Sequence, residues 1–152
     1  MVSRPENRGA ALAEGGLDAL AEAGLALGSA GSLAEALQIV ADAAARAARA
    51  DVVVARVADD VRGRLSTCAV AAGSAAVAAE LEGSHLPLDE LPPSEQADPD
   101  QLPEGIRRTA AGVHASNVVV LPVHVDGRAR GSLELMRSGP AFDDGRTITF
   151  EA

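Results

Sequence analysis

The stretch NVVVLPVHVDGRARGSLELM, Asn117 to Met136, decides the fold. Two apolar runs flank Asp126-Gly127, and Asp-Gly supplies the two positive-φ residues that a type I′ turn requires. The segment is therefore predicted to form one tight antiparallel hairpin. A two-residue loop pairs Val125 with Arg128, Val123 with Arg130, Leu121 with Ser132 and Val119 with Glu134. In that register Val118, Val120, Pro122 and His124 share a face with Ala129, Gly131, Leu133 and Leu135. Neither face of the first strand is polar, which places the hairpin inside a sheet covered above and below. The expected class is α+β, an antiparallel sheet with helices on both faces.

Upstream of the hairpin, Ser32-Leu33-Ala34-Glu35 has the form of a capping box. Leu33, Leu37, Val40, Ala44 and Ala47 then mark one helical face to about Arg49. Asp51 to Ala58 is nearly all apolar and predicts a buried strand, Asp59 to Gly63 a turn, and Arg64 to Ala72 a second strand pairing back on the first. Ser74 is placed to cap a short helix through Glu82 that ends at Gly83. Five prolines and six acidic residues, with no basic one, lie between Pro87 and Glu104, which predicts a long solvated loop. Ile106, Ala110 and Val113 have helical spacing over Glu104 to His114. Residues 1 to 10 lack periodicity, and from Ala11 to Leu27 the residues Leu17, Leu20, Gly24 and Leu27 repeat as an amphipathic seam. Residues 1–28 thus read as a lead and a dimerising helix, and 29–152 as the folded domain. From Asp143 onward the segment is open between helix and strand, because Asp143 suits an N-cap but Thr147, Ile148 and Thr149 are poor helix formers.

The 152 residues suit one domain, and a hydrophobic content of 47% suffices for a core. Aromatic residues make up 1% of the chain, so that core must be built from Ala, Val and Leu and offers few ring-lined cavities. A net charge of −9 and the lack of stacking aromatics argue against nucleic-acid binding. The single cysteine, Cys68, cannot form an internal disulfide, and its place in an apolar strand predicts a buried, inert thiol. No apolar run approaches membrane-spanning length and the N-terminus has no apolar signal-like region, which predicts a soluble cytoplasmic protein with no membrane association.

The order helix, helix, strand, strand, helix, long loop, helix, hairpin, terminal segment resembles a GAF domain, a PAS-related fold, with the match running from about Leu33 to the end. The resemblance rests on SLAEALQIVADAAARA before ADVVVARV, and above all on LPVHVDGRARGSLEL followed by PAFDD. In the hairpin Leu121, Pro122, Gly127, Gly131 and Leu133 take the places of that family's apolar-Pro, Gly and Gly-small-Leu pattern. SAAVAAELEGSHLPLDELP also resembles a type found in actinobacterial signalling proteins. The resemblance implies a six-stranded antiparallel sheet with the N- and C-terminal helices on one face and a ligand pocket on the other. It implies a sensory or regulatory role beside an output signalling domain, and, since such domains close with a longer helix, a chain cut short at residue 152. It leaves the ligand and any cofactor unspecified. The absence of lysine excludes the family's cyclic-nucleotide signature, and a bilin-attaching Cys next to His is missing.

The candidate binding residues are Arg107, His114, Arg108 and His85. Arg107 and His114 lie seven apart on the expected helix, where a shared face turned toward a pocket would hold a small polar or anionic ligand. Against this, Arg107 and Arg108 have acidic neighbours in Asp98, Asp100 and Glu104, and His85 has helix-terminal carbonyls. His124 is expected to pack at a strand end. The histidines show no metal spacing, and Glu80, Glu82 and Glu134 are too scattered in sequence to indicate an acid/base pair. One branch of the resembled fold reduces free methionine sulfoxide by cysteine chemistry, a cycle that needs a second, resolving thiol. No catalytic residue is assigned. Leu17, Leu20 and Leu27 are the candidate homodimer interface.

Overall fold

Helix α1 (Leu33–Ala48) begins where the capping pattern places it. The computed structural model describes residues 31–139 and 142. The Ser32 hydroxyl accepts from the Glu35 amide at 3.1 Å, and the Glu35 carboxylate takes the Gly31 amide rather than that of Ser32. Arg49 closes the helix in the left-handed region, at φ 56°. Strand β1 (Val52–Asp59) follows and buries its first five residues, including one arginine. It turns into β2 (Arg64–Ala72), and Ser74 caps α2 (Ala75–Glu82) as expected. A short strand β3 (His85–Pro87), two 3-10 turns, α3 (Glu104–Gly112), β4 (Asn117–Val125) and β5 (Arg128–Arg137) complete the order.

The strands form one antiparallel sheet in the order β3-β2-β1-β5-β4. Five strands are present among the described residues where the resemblance implies six. β1 lies at the centre, and strict alternation along it divides the core in two. Val53 and Ala55 pack with Ala41 of α1, Leu121, Leu133 and Leu135 on one face. Val52 and Val54 join Leu65, Val118, Val120 and Met136 on the other face, under Leu81 of α2, Leu86 of β3 and Ile106 and Ala110 of α3. The expected helix-sheet-helix layering holds. Alanines at the α1 contact let the helix approach the sheet closely, which the aromatic-poor composition requires.

The hairpin turns at Asp126-Gly127, both with positive φ (54° and 79°), as the type I′ reading demands. Its register departs from the two-residue expectation past the second pair. A bulge between Val123 and His124 leaves Arg130 without a directly opposed partner, so Val123 faces Gly131, Leu121 faces Leu133 and Val120 faces Glu134. The slip moves every residue of β5 beyond the bulge to the opposite face: Leu133 and Leu135 pack toward α1, and Glu134 joins Val118 and Val120. His124 is exposed rather than packed. A second bulge between Ala55 and Arg56 leaves Cys68 as the extra residue of β2, half-exposed rather than buried. The acidic stretch is not uniformly solvated either. Pro92 and Leu102 are buried, and Gln96 pairs through its backbone with Val120 of β4.

Candidate functional site

Burying a charge in a sheet is costly unless it is paired, and β1 and β5 each carry one such charge. Arg56 is 2% exposed and Glu134 has no exposed surface. The register sets Arg56 opposite Ser132 and Val54 opposite Glu134, so the two ionic side chains lie diagonally on the face beneath α2 and α3. Arg56 Nε donates to Glu134 Oε2, and Nη2 donates to Oε1 at 3.2 Å, a two-pronged pairing suited to a planar carboxylate. The other prong, Nη1, donates to Thr67 Oγ1 at 2.8 Å and to Ser84 Oγ at 3.2 Å. Thr67 and Ser84 are 3.0 Å apart, and Ser84 donates to the Leu81 carbonyl at the end of α2 at 2.6 Å. A continuous polar chain thus runs from the sheet centre to the end of the covering helix.

The β1–β2 bulge falls at Arg56 itself, and bulges of this kind re-aim neighbouring side chains. Burial raises the Glu134 pKa above the ordinary glutamate range, and the Arg56 charge and hydrogen bonds oppose this only in part. The Ser132 hydroxyl, 3% exposed, lies close enough to favour the ionised carboxylate, yet it makes no well-formed hydrogen bond to any protein group. A polar atom left without a partner in such a position has capacity to spare.

Sequence reasoning missed this cluster. In sequence Glu134 is far from other acids, and no motif in the local sequence singles out Arg56. The usable signal was that each is a charge inside an otherwise apolar strand run, VVVARVA and SLELM. The residues it did select lie elsewhere. Arg107 and Arg108 are exposed on α3, and Arg108 pairs with Glu104 at 3.0 Å with both side chains 74% exposed. The helix ends at Gly112, so His114 does not share a helical face with Arg107; it lies beyond the helix in the left-handed region, at φ 58°, and is exposed. His85 is exposed at the start of β3. These four residues are not drawn into one cluster. Leu17, Leu20 and Leu27, and the end segment from Asp143, lie outside the described residues. No group of three or more His, Cys, Asp or Glu residues suited to a metal ion occurs among the described residues. No helix among them is long and apolar enough to cross a membrane.

No family model matches the sequence, and no curated protein matches it. The fold, in contrast, is shared with many solved structures. The GAF domain of a phosphoenolpyruvate-protein phosphotransferase from Coxiella burnetii superposes with a TM-score of 0.62 at 16% identity, covering 91% of this chain and 89% of that one. A free methionine-R-sulfoxide reductase from Neisseria meningitidis, solved with its substrate, gives 0.63 at 15% identity over 89% of this chain and 84% of the other. The chromophore-binding domain of Stigmatella aurantiaca phytochrome P1 gives 0.61 at 13% identity; the match covers 85% of this chain but 52% of that longer one. The chain therefore has the GAF-domain fold.

Proposed function

We propose that this chain is a non-catalytic sensory or regulatory domain of GAF type, working within a cytoplasmic bacterial signalling protein such as a histidine kinase, phosphatase or cyclase. The observation that carries the reading is the Arg56–Glu134 pair: a complete ionic network at the centre of a small apolar core, on the face covered by α2 and α3. Buried pairs of this kind contribute little net stability compared with apolar residues of equal volume. A role in recognition accounts for the pair better than a role in holding the fold. Structures of the same fold from a phytochrome and from a methyl-accepting chemotaxis protein support a signalling context.

The reductase reading has less behind it. The chain has a single cysteine, Cys68, and no second thiol to resolve an oxidised intermediate. Signal transmission would be a population shift, in which a small polar or anionic ligand favours one arrangement of α2 and α3 over the sheet. The alternative site is the exposed set Arg107, Arg108, His114 and His85, and the alternative role is a ligand-free homodimer joined through Leu17, Leu20 and Leu27.

Thermal shift against a panel of small metabolites tests the reading. A ligand at 100 times its Kd stabilises by about 2.7 kcal/mol. The shift is expected to survive Arg107→Ala with His114→Ala and to vanish in Arg56→Met with Glu134→Leu. The reverse pattern moves the site to the surface set, and a panel without any shift favours the assembly role.

A further inference from the structure

The Arg56 guanidinium is presented to Glu134 edge-on, through Nε and Nη2, while its remaining prong is held by Thr67 and Ser84 on β2 and the α2–β3 connection. The prong held by hydroxyls fixes the arginine independently of Glu134. The edge that faces Glu134 is therefore a preformed receptor for a planar carboxylate, and the fold fills it with a carboxylate of its own. Ser132 stands directly across from Arg56, its hydroxyl near the Glu134 carboxylate without a well-formed hydrogen bond, a further donor beside that edge. We propose that Arg56 anchors a small monocarboxylate ligand and that Glu134 occupies the anchor as an internal surrogate until the ligand replaces it. This rests on the sensory reading above and adds the chemistry of the ligand.

Replacement has a proton cost that follows from the surroundings. Arg56 is the charged group that faces Glu134; α2, β3, α3 and β4 contribute Leu81, Leu86, Ile106, Ala110, Val118 and Val120 to the same cluster, all apolar. Once Arg56 turns to the ligand, the Glu134 carboxylate keeps its burial but loses its counter-ion, and it takes a proton from solvent. Net charge at the site is conserved: one carboxylate enters and another is neutralised. The cover over the pair is tightly packed: a Cβ at Gly105 of α3 would lie 2.5 Å from Leu86 Cδ2 of β3.

Titration calorimetry of the whole chain with acetate, propionate and lactate, in two buffers of different ionisation enthalpy, reads both parts. Wild type is expected to take up about one proton per carboxylate bound, so its affinity falls as pH rises, by up to about tenfold per pH unit. Glu134→Gln removes the competitor: carboxylate affinity is expected to rise at least tenfold and proton uptake to disappear. If that variant does not fold, Glu134→Asp, which draws the charge back by one methylene, is expected to show a smaller gain in the same direction. Arg56→Met with Glu134→Leu replaces the pair by apolar volume and is expected to bind none of the three. Binding by wild type without proton uptake, equal affinity in both Glu134 variants, or binding of inorganic phosphate with carboxylates silent overturns the exchange while leaving the sensory reading in place. Loss of every ligand-dependent shift across the metabolite panel overturns both.

Discussion

Gly131→Ala adds one methyl group where β5 lies close against the β1 backbone, and its cost follows from the geometry. A Cβ there would lie 2.6 Å from the Arg56 carbonyl oxygen and 3.9 Å from Val57 Cα. Interstrand carbon–oxygen contacts are comfortable at about 3.3–3.6 Å, so the methyl requires β1 and β5 to separate locally by about 0.7–1.0 Å. The obstacle is main chain and cannot rotate away. Gly131 faces Val57 at the last of the paired positions that begin at Val52 and Met136, so the strands can splay at this end without unzipping. Overpacking of this kind costs about 1–3 kcal/mol. With a urea dependence of about 2 kcal/mol per molar, the midpoint is expected to fall by about 0.5–1.5 M. Far-UV circular dichroism is the natural probe, since the chain has neither Trp nor Tyr. Gly131→Val is expected to lower the midpoint further. Midpoints for both variants equal to the parent's would refute the close approach and, with it, the position given to Arg56.

Glu134→Leu alone strands a buried guanidinium and is expected to lose about 3–5 kcal/mol, whereas adding Arg56→Met should restore or exceed parental stability; equal losses in the single and double variants, measured by urea unfolding, would show that the pair is not buried as described. Because burial raises the Glu134 pKa, the native state holds that proton more tightly than the unfolded chain. The stability this gives is complete below the ordinary glutamate value of about 4.3 and is lost as pH rises through the raised value. Glu134→Gln is therefore expected to flatten that part of the stability profile, and parallel profiles would contradict the assignment. The chain beginning at Ser29 is expected to be monomeric by light scattering if Leu17, Leu20 and Leu27 form the dimer contact, and a persisting dimer would reject it.

What the sequence disclosed was what local chemistry controls. Ser32 and Ser74 sit before helices because their hydroxyls satisfy free amides, and Asp126-Gly127 turns because both residues accept positive φ. Those rules act over a few residues and need no knowledge of the fold. The β5 register escaped because Arg130 is accommodated by a bulge, and because the apolar first strand has no polar face to betray a slip. Counting from the turn consequently put Gly131 opposite Pro122 when it meets Val123. The acidic loop misled in a similar way: its prolines and carboxylates dominate the composition, while Pro92 and Leu102, which are buried, are too few to show a period.

The site was harder for a related reason. Arg56 and Glu134 are 78 residues apart, and only the β1–β5 register brings them together. A charge in VVVARVAD looks like the fraying end of a strand until the sheet is known to continue past it. Once it does, β1 carries two kinds of information on its two faces. Arg56 points into the polar chain through Thr67 and Ser84 to the end of α2, while Val53 and Ala55 of the same strand pack against Ala41 of α1. Packed interiors of this density do not deform continuously; a change at Arg56 must be taken up by sliding one covering layer or the other. Arg56 is linked to the end of α2 through Ser84, which donates to the Leu81 carbonyl, while α1 meets β1 through alanine contacts. On the sensory function proposed above, a change in the ion pair would reach α1 through β1, whose first five residues are buried, with α2 and α3 on the ligand side and α1 on the output side.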